Sequence, residues 1–462
     1  MLQEKTISPH IFRAYDIRGI YNHDISPELF QKIGMAAGTF VQQNLSGKTM
    51  TVGNDLRKSS VPLALAFISG VTATGVEVLY TGTTAFGQTL FSGWQHQQDL
   101  IAFITASHLP AEWNGVKFYY GDGVGLSEDQ LMTIRDITLT SRTTNAAWDR
   151  LGTVTLLDPK KEYRTFFQQR FIFKKKLTVA LDCGGASTTL SAPEIFRAVG
   201  LNIIPVFCDP DPTFSKRPSD PKPENLTTLV ETVKQHRCDF GVAFDGDGDR
   251  AVIVDNTGKI LSADETGIII GTYGLPKKQG TIIVNVECSK AVAEYLQPQG
   301  YTIKQIQVGH TFLTLAAKKE HALLGIESSG HLIMPDYFLF DDALIIPLKI
   351  AEILQTTQKK LHDLIKPIPL YPRQKKEIEC PDHIKFNVIE TLKQQFTKEY
   401  HNTNTLDGIR VDLQQGWILL RASNTSPIIR LTVEANTEHD VAKLTEQFLE
   451  KTTTMIATLK NK

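Results

Sequence analysis

The chain has 462 residues, of which 41% are hydrophobic and 21% are charged. Its 49 basic and 50 acidic side chains leave a formal net charge of -1, so no overall field draws it to nucleic acid or to an anionic membrane. Its five cysteines are odd in number and form no CxxC pair, which argues against a disulfide framework or a zinc ribbon. We therefore expect a multidomain cytoplasmic protein, a monomer or weak homodimer, with no nucleic acid or membrane partner.

The first part of the chain predicts helices that alternate with strands. Ser26-Pro27-Glu28 is typical of a helix start, and the uncharged stretch from Val61 to Val76 predicts a buried helix that is too short to span a bilayer. Strands are predicted at 49–53, 76–80 and 100–105. This alternation predicts a mostly parallel sheet covered by helices on both faces.

Two further α/β units follow a polar, basic stretch near residues 150–177, and each delivers a polar loop from the end of a strand. In the second unit a strand at 238–244 precedes an acidic loop, and in the third a strand at 322–326 precedes Glu327-Ser328-Ser329-Gly330-His331. The three units resemble an internal structural repeat. After about residue 366 the pattern changes to a smaller α+β unit. The predicted domains are 1–150, 151–257, 258–366 and 367–462.

The acidic loop of the second unit carries three carboxylates, Asp245, Asp247 and Asp249, separated by single glycines. Glycine lets the loop bend so that the carboxylates converge, and their repulsion then requires a cation such as Mg²⁺, Mn²⁺ or Ca²⁺. An EF-hand is excluded, because its sixth and twelfth positions would be Arg250 and Asn256. Arg250 beside the carboxylates indicates an anionic ligand such as phosphate.

Two other loops contain candidate functional groups. Ser107 lies in Thr105–Pro110, where a predicted strand ends, which is the place where α/β proteins put ligand chemistry, so it is our candidate nucleophile. Its surroundings match neither the GxSxG of hydrolases nor a GxxxxGK[ST] loop. Near the C-terminus, Arg421–Pro427 combines an arginine with short hydrogen-bonding side chains, which suits a phosphate dianion, although a polar hairpin would give the same pattern.

Taken in order, these segments resemble the α-D-phosphohexomutase family, most closely its bacterial phosphomannomutase/phosphoglucomutase branch. Phe12–Gly19 is similar to the family's N-terminal motif, and the other loops are similar to its phosphoserine, metal, sugar-specificity and phosphate-binding loops, which here are Thr105–Pro110, Asp245–Arg250, Glu327–His331 and Arg421–Pro427. The resemblance covers essentially the whole chain. It implies three similar α/β domains with mixed, mostly parallel sheets and a smaller C-terminal α+β domain around a central cleft.

The resemblance also implies the roles of individual residues. Ser107 would carry a phosphoryl group and would bind Mg²⁺ together with Asp245, Asp247 and Asp249. The catalytic group would further include Lys117 and His331, as general acid and base candidates, and Arg250. The substrate contacts would be Tyr15, Arg18, His108, His310, Glu327, Ser329, Arg421, Ser423, Asn424, Thr425 and Arg430.

The implied activity interconverts hexose 1-phosphate and hexose 6-phosphate, of mannose or glucose, with hexose 1,6-bisphosphate as intermediate and activator. Phosphoglucosamine mutase is an alternative, although Asn424-Thr425-Ser426 differs from the Gly-Thr-Glu usual in that branch. Four positions depart from the family. Asn54 replaces a common arginine and Val308 a frequent threonine, Leu109 replaces an asparagine, and Glu287 aligns with a substrate-binding lysine. The departures at Leu109 and Glu287 leave open a sugar-phosphate-binding protein without turnover, and a metal-dependent phosphatase is a third alternative.

Overall fold

A computed structural model describes residues 9–13, 15–276, 279–423 and 427–460. Its α-helices are α1 Pro27–Asn44, α2 Ser60–Ala73, α3 Phe86–Gln95, α4 Glu128–Thr140, α5 Lys160–Arg170, α6 Ala192–Ala198, α7 Thr227–Gln235, α8 Ala263–Ile269, α9 Lys290–Leu296, α10 His310–Lys319, α11 Ile345–Thr357, α12 Leu361–Ile365, α13 Asp382–Glu399 and α14 Glu438–Lys460. None of these described helices is both long and apolar enough to cross a membrane.

Within the described residues, the strands form four sheets. They are β1 Ile17–Ile20, β2 Thr49–Asn54, β3 Glu77–Thr83, β4 Leu100–Ile104, β5 Trp113–Tyr120, β6 Val154–Leu156, β7 Thr178–Asp182, β8 Asn202–Val206, β9 Phe240–Phe244, β10 Ala251–Asp255, β11 Gly280–Asn285, β12 Tyr301–Ile306, β13 Leu324–Ile326, β14 Leu332–Ile333, β15 Arg373–Glu379, β16 Thr403–Asn404, β17 Ile409–Leu413, β18 Gly416–Ala422 and β19 Ile428–Ala435.

Three of these sheets share one strand order. The order is β3-β2-β4-β5 in the first, β8-β7-β9-β10 in the second and β12-β11-β13-β14 in the third. In each sheet the first three strands are parallel, and the fourth runs antiparallel to the third. The first sheet adds β1 and β6 at its edges. The predicted class of three similar α/β domains with mixed, mostly parallel sheets is confirmed.

The repeat places the three candidate loops at equivalent points of the fold. Ser107 lies between β4 and β5, the acidic triplet between β9 and β10, and Glu327–His331 between β13 and β14. Each loop therefore joins the third strand of its sheet to the fourth, at the carboxyl end of a parallel strand. The equivalence explains why three segments with little sequence identity all carry polar chemistry.

The C-terminal sheet has the order β15-β19-β18-β17-β16 and is antiparallel throughout. One face packs under α13 and α14, with a core that includes Ile378, Leu420, Leu431 and Phe448. Because strand side chains alternate, the other face presents the remaining residues of the same strands toward the third domain. This confirms the smaller C-terminal α+β unit.

The segment near 150–177, which the sequence analysis describes only as polar and basic, contains the helix α5. Tyr163, Phe166 and Phe167 are buried and have helical spacing, but the charged residues around them conceal this pattern in the sequence. Just before α5, β6 joins the first sheet beyond its predicted boundary. The strand β5, which was not predicted, carries Lys117 on its buried length.

Candidate active site

Ser107 is held in an unusual backbone conformation at the end of β4. Its φ of 53° lies in the left-handed region that residues other than glycine rarely adopt, and the residue is only 2% exposed. Its amide donates to Thr105 Oγ1 at 2.8 Å, and Thr105 Oγ1 donates in turn to Asp55 Oδ2 at 2.8 Å. These hydrogen bonds hold the backbone of the loop at Ser107 in place.

Arg57 holds the Ser107 loop through hydrogen bonds to its backbone carbonyl oxygens. Its buried guanidinium donates to the carbonyl oxygens of Ser107 at 2.7 Å and Leu109 at 2.6 Å, and to those of Trp113 and Pro110. Its Nε donates to Asp55 Oδ2 at 2.9 Å. A planar donor fork that spans several carbonyls fixes their relative positions. Arg57 thus sets the path of the chain on both sides of the candidate nucleophile.

The acidic loop of the second domain lies against Ser107, which is the arrangement that the family resemblance implies. Asp245 and Asp247 are fully buried and Asp249 is 2% exposed, and their ligand oxygens all lie within 4.8 Å of one another. Ser107 Oγ donates to Asp245 Oδ2 at 3.2 Å. Gly246 makes the approach possible, since a Cβ there would lie 2.3 Å from the carbonyl oxygen of Ser107. Two domains therefore meet at one hydroxyl group.

Two cations partly neutralise the three carboxylates. Lys117 Nζ donates to Asp247 Oδ2 at 3.0 Å and to Asp249 Oδ2 at 2.6 Å, and Arg250 Nε donates to Asp245 Oδ2 at 3.0 Å. Burial alone would lower the pKa of Lys117, but the Asp247 and Asp249 carboxylates raise it above its usual value. Burial and the neighbouring Asp249 raise the pKa of Asp245, despite the opposing cations. The two cations therefore leave part of the negative charge of the three carboxylates unbalanced.

These residues fit a divalent cation with a preference for hard oxygen ligands. Asp247 Oδ1 and Asp249 Oδ1 are buried and, among the described residues, have no hydrogen-bond partner. Leaving a buried carboxylate oxygen without a partner is costly, and a cation held by the three carboxylates would remove that cost. Mg²⁺ accepts oxygen donors of this kind together with a phosphate oxygen. The donor set thus fits the metal predicted from the sequence.

His331 faces the same cluster from the third domain. Its Nδ1 makes a short hydrogen bond to Asp341 Oδ2, and it lies close to the Asp249 carboxylate. Burial alone would lower the pKa of His331, but Asp249 and Asp341 raise it to about 9. The imidazole is therefore protonated near neutral pH, and Asp341 fixes the orientation of its ring.

Further candidates line the space in front of this cluster. The rings of His310 and His331 stack with centroids 5.6 Å apart, and Tyr15 meets His310 edge to face at 5.7 Å. Burial, reinforced by the Arg250 charge, lowers the pKa of His108, and burial with the Lys117 charge lowers that of His310. Both rings are therefore neutral. They can donate or accept a hydrogen bond to a sugar hydroxyl without adding charge.

Arg18 and Tyr15 bring the first domain into the same space. Arg18 Nε pairs with Asp16 at 2.7 Å, and its charge contributes to lowering the pKa of His108. Burial raises the pKa of Tyr15 to about 12, with Arg421 and Glu327 among the charges that act on it. The N-terminal motif thus lies between the sugar-specificity loop and the phosphate-binding loop.

The sugar-specificity loop is organised by Glu327. Its Oε2 accepts from the amide of Gly309 at 3.0 Å, and its Oε1 accepts from Ser329 Oγ at 2.6 Å. Arg250 Nη1 donates to the carbonyl oxygen of Ser329 at 3.3 Å, which ties this loop to the metal loop. Glu327 and Ser329 therefore lie together, next to His310, where a substrate hydroxyl can reach them.

The phosphate-binding loop follows β18. Arg421 Nη1 donates to Glu287 Oε1 at 3.1 Å, and its Nε lies 2.9 Å from Asp407 Oδ2. Ser423 is buried and its amide donates to the carbonyl of Ile428 at 3.0 Å. Arg430 is half exposed, 3.6 Å from Glu377. Asn424 and Thr425 lie outside the described residues.

Four residues that position the site were not predicted from the sequence: Asp55, Arg57, Ser219 and Asp341. Ser219, from the second domain, donates to the carbonyl oxygens of His108 at 2.6 Å and Leu109 at 2.9 Å. Asp55 and Arg57 directly follow β2, so a systematic search of strand ends would have found them. Ser219 and Asp341 lie in irregular segments with no local signal.

Comparisons with known proteins agree with this arrangement. Family profiles described as phosphoglucomutase/phosphomannomutase alpha/beta/alpha domains I, II and III match residues 9–145, 161–258 and 262–371, and a C-terminal domain profile matches 378–451. A Methanopyrus kandleri protein named probable phosphoglucosamine mutase is 32% identical over 95% of this chain and 97% of its own length. A Thermococcus kodakarensis phosphoglucomutase/phosphomannomutase is 30% identical over 94% and 97%.

A solved structure has the same fold over nearly the whole length. It is the crystal structure of a phosphoglucomutase/phosphomannomutase family protein from Burkholderia thailandensis, with a TM-score of 0.89 and 26% identity. The similarity covers 97% of this chain and 98% of that chain.

Proposed function

The chain belongs to the phosphoglucomutase/phosphomannomutase family of the α-D-phosphohexomutases, and we propose that it interconverts the 1- and 6-phosphates of mannose and glucose through a phosphoserine at Ser107. The observation that carries the proposal is the contact of Ser107 Oγ with Asp245 Oδ2 at 3.2 Å, inside a buried carboxylate cluster contributed by another domain. A serine used only as a turn residue has no need of three carboxylates and two cations around its hydroxyl.

The reaction moves one phosphoryl group in each of two steps. In the first, phosphorylated Ser107 gives its phosphoryl group to the free hydroxyl of the sugar phosphate, so the bond from phosphorus to Ser107 Oγ breaks and a hexose 1,6-bisphosphate forms. In the second, the other phosphoryl group of the bisphosphate returns to Ser107. Between the steps the bisphosphate turns over in the cleft, so the phosphate clamp must accept either end. Catalysis of this kind is mainly positioning and electrostatics.

Lys117 and His331 are assigned to the proton transfers. The Lys117 ammonium lies on the acidic cluster beside Ser107 and protonates Ser107 Oγ when the phosphoryl group leaves. His331 faces the sugar-specificity loop and exchanges a proton with the sugar hydroxyl, with Asp341 holding its ring. Arg250 stabilises negative charge on the transferring group. Mg²⁺, held by Asp245, Asp247, Asp249 and a phosphate oxygen on Ser107, would supply charge neutralisation.

Sugar recognition is assigned to the third domain and phosphate recognition to the fourth. Glu327 and Ser329 contact sugar hydroxyls, with His108, His310, Tyr15 and Arg18 around them. Arg421 and Ser423, with Asn424, Thr425 and Arg430, hold the phosphate that does not react. A hexose 1,6-bisphosphate is the activator that loads Ser107.

Glucosamine phosphate is the second candidate substrate, because the Methanopyrus kandleri relative is named probable phosphoglucosamine mutase. The sequence Asn424-Thr425-Ser426, which differs from the Gly-Thr-Glu usual in the phosphoglucosamine mutase branch, favours the neutral hexoses. The ratio of kcat/KM values for mannose 1-phosphate, glucose 1-phosphate and glucosamine 1-phosphate, measured on one preparation, discriminates between the candidates.

The test of the proposal is formation of the phosphoenzyme. Incubation with glucose 1,6-bisphosphate and Mg²⁺ is expected to add one phosphoryl mass to the protein, located on Ser107 by peptide mapping, and S107A is expected to remain unmodified and inactive. Full turnover by S107A would overturn the proposal. Release of inorganic phosphate in place of an isomeric sugar phosphate would identify a phosphatase, and tight binding without isomerisation would identify a binding protein.

A further inference from the structure

One face of the C-terminal sheet carries a second cation close to Arg421. Lys375 of β15 pairs with Thr432, and Thr432 pairs with Leu419, which lies two residues before Arg421 on β18. Because residues two apart on a strand share a face, Lys375 and Arg421 lie on the same face of the sheet. Lys376, the next residue along β15, belongs to the opposite face, where the helices pack.

Glu287 bridges the two cations from the third domain. Arg421 Nη1 donates to its Oε1 at 3.1 Å, and Lys375 Nζ donates to its Oε2 at 3.1 Å. Glu287 lies in the loop after β11 and is 8% exposed. Its contact with Arg421 is therefore buried, whereas the Lys375 side chain is 57% exposed and reaches the carboxylate from the solvent side. Ser328 Oγ, in the sugar-specificity loop, also donates to Glu287 Oε2 at 3.2 Å.

The Glu287 carboxylate has the geometry of an internal substitute for phosphate. One of its oxygens meets a guanidinium and the other an ammonium, which is how two oxygens of a phosphate group would be held by the same cations. A sugar phosphate carries more negative charge than a carboxylate and competes for the same donors. Two cations joined by one carboxylate therefore mark a position that an anionic ligand can take over.

We propose that Lys375 is a member of the clamp for the non-reacting phosphate, and that Glu287 occupies the clamp until the substrate phosphate displaces it. This inference rests on the proposed sugar-phosphate function. The displaced carboxylate keeps its hydrogen bond from the Ser328 hydroxyl. Movement of Glu287 when the phosphate binds would therefore also move the sugar-specificity loop. Glu287 stands where the family resemblance implies a substrate-binding lysine, and Lys375 of β15 would supply the positive charge in its place.

The energetics agree with this exchange. Burial alone would raise the pKa of Glu287, but Lys375 and Arg421 lower it below the usual value, so the carboxylate is ionised when the clamp is empty. Asp407 lies 2.9 Å from Arg421 Nε and also accepts from the amide of Val308 at 3.0 Å. Arg421 therefore keeps a fixed orientation through Asp407 while its Glu287 contact is exchanged.

The test compares neighbouring lysines in a background that binds but does not turn over. S107A, S107A/K375M and S107A/K376M are titrated with glucose 1-phosphate, mannose 6-phosphate and inorganic phosphate by calorimetry with Mg²⁺ present. The K375M protein loses one charge-assisted contact, so its dissociation constants for all three ligands are expected to rise about tenfold. Those of the K376M protein are expected to rise less than about twofold. Removing the competing carboxylate in S107A/E287Q is expected to strengthen inorganic phosphate binding several-fold.

Equal dissociation constants for the K375M and K376M proteins would overturn the inference, and so would weaker phosphate binding in the E287Q protein, because Glu287 would then only orient Arg421. The Lys375 side chain is 57% exposed, so its substitution is expected to leave the fold intact, and thermal unfolding of each variant checks this. Absence of turnover in the unmodified enzyme, with the Lys375 effect on binding still present, would refute the mutase function and leave the clamp standing.

Discussion

Gly246→Ala tests whether close contact between the serine loop and the metal loop is needed for catalysis. The added Cβ would lie 2.3 Å from the carbonyl oxygen of Ser107, whereas carbon and oxygen in contact need about 3.3 Å, so the loops must separate by about 1 Å. A displacement of this size at reacting groups lowers the rate about 100-fold, equivalent to about 2.7 kcal/mol of barrier. Gly246 does not have a positive φ, so the effect is steric.

The measurement is kcat and KM for glucose 1-phosphate at saturating Mg²⁺ and activator. We expect kcat to fall about 100-fold with KM changed much less, because the substrate contacts lie on other loops. Gly121→Ala is the matched control, since its Cβ would lie 1.8 Å from the carbonyl oxygen of Gln98, away from the cleft. Both variants should lose stability, but only Gly246→Ala should lose turnover. A folded Gly246→Ala enzyme with kcat within about threefold of the unmodified enzyme would refute the reasoning.

Two further predictions concern the metal and the histidine. Dialysis against EDTA should abolish mutase activity, and added Mg²⁺ should restore it. D247N should raise the Mg²⁺ concentration needed for half-activation at least about tenfold. The control D255N changes a buried carboxylate of the same sheet that lies in a turn with Thr257, so it should leave this concentration unchanged, and equal shifts in both variants would contradict the assigned ligands. The pKa of His331 is raised from about 6.5 to about 9, so its ionised form contributes stability that is fully present below pH 6.5 and lost as pH rises through 9. D341N should lower the pKa of His331. The melting temperature of the variant should therefore begin to fall at a lower pH than that of the unmodified protein, and identical plots of melting temperature against pH would contradict the pairing of His331 with Asp341.

Local pattern predicted the parts of the site that each lie on one short segment. The acidic triplet is flanked by two buried strands, β9 and β10, and its spacing by glycine allows convergence whatever the rest of the fold does. Ser107 lies three residues beyond the end of β4, so its position at the edge of a sheet follows from the strand pattern alone. The family resemblance added the order of the loops and the roles of their residues.

Other elements were hidden from the sequence because their signals are mixed. The helix α5 buries Tyr163, Phe166 and Phe167 within a charged segment, so its apolar stripe is narrow and the composition of the segment is polar and basic. The strand β5 follows the serine loop so closely that its residues read as part of that loop. The strand β5 matters for the proposed function, since it carries Lys117 to the acidic cluster.

The sequence by itself determined which chemistry each loop offers: carboxylates for a cation, a hydroxyl at a strand end, and an arginine for an anion. Only the tertiary structure decided that Ser107 meets Asp245 across 138 residues of chain, and that Lys375 meets Glu287 across 88. The physical reason is that side-chain chemistry and strand or helix periodicity are local properties. Distances between domains are instead set by how separate cores pack against one another, and no short segment of sequence encodes them.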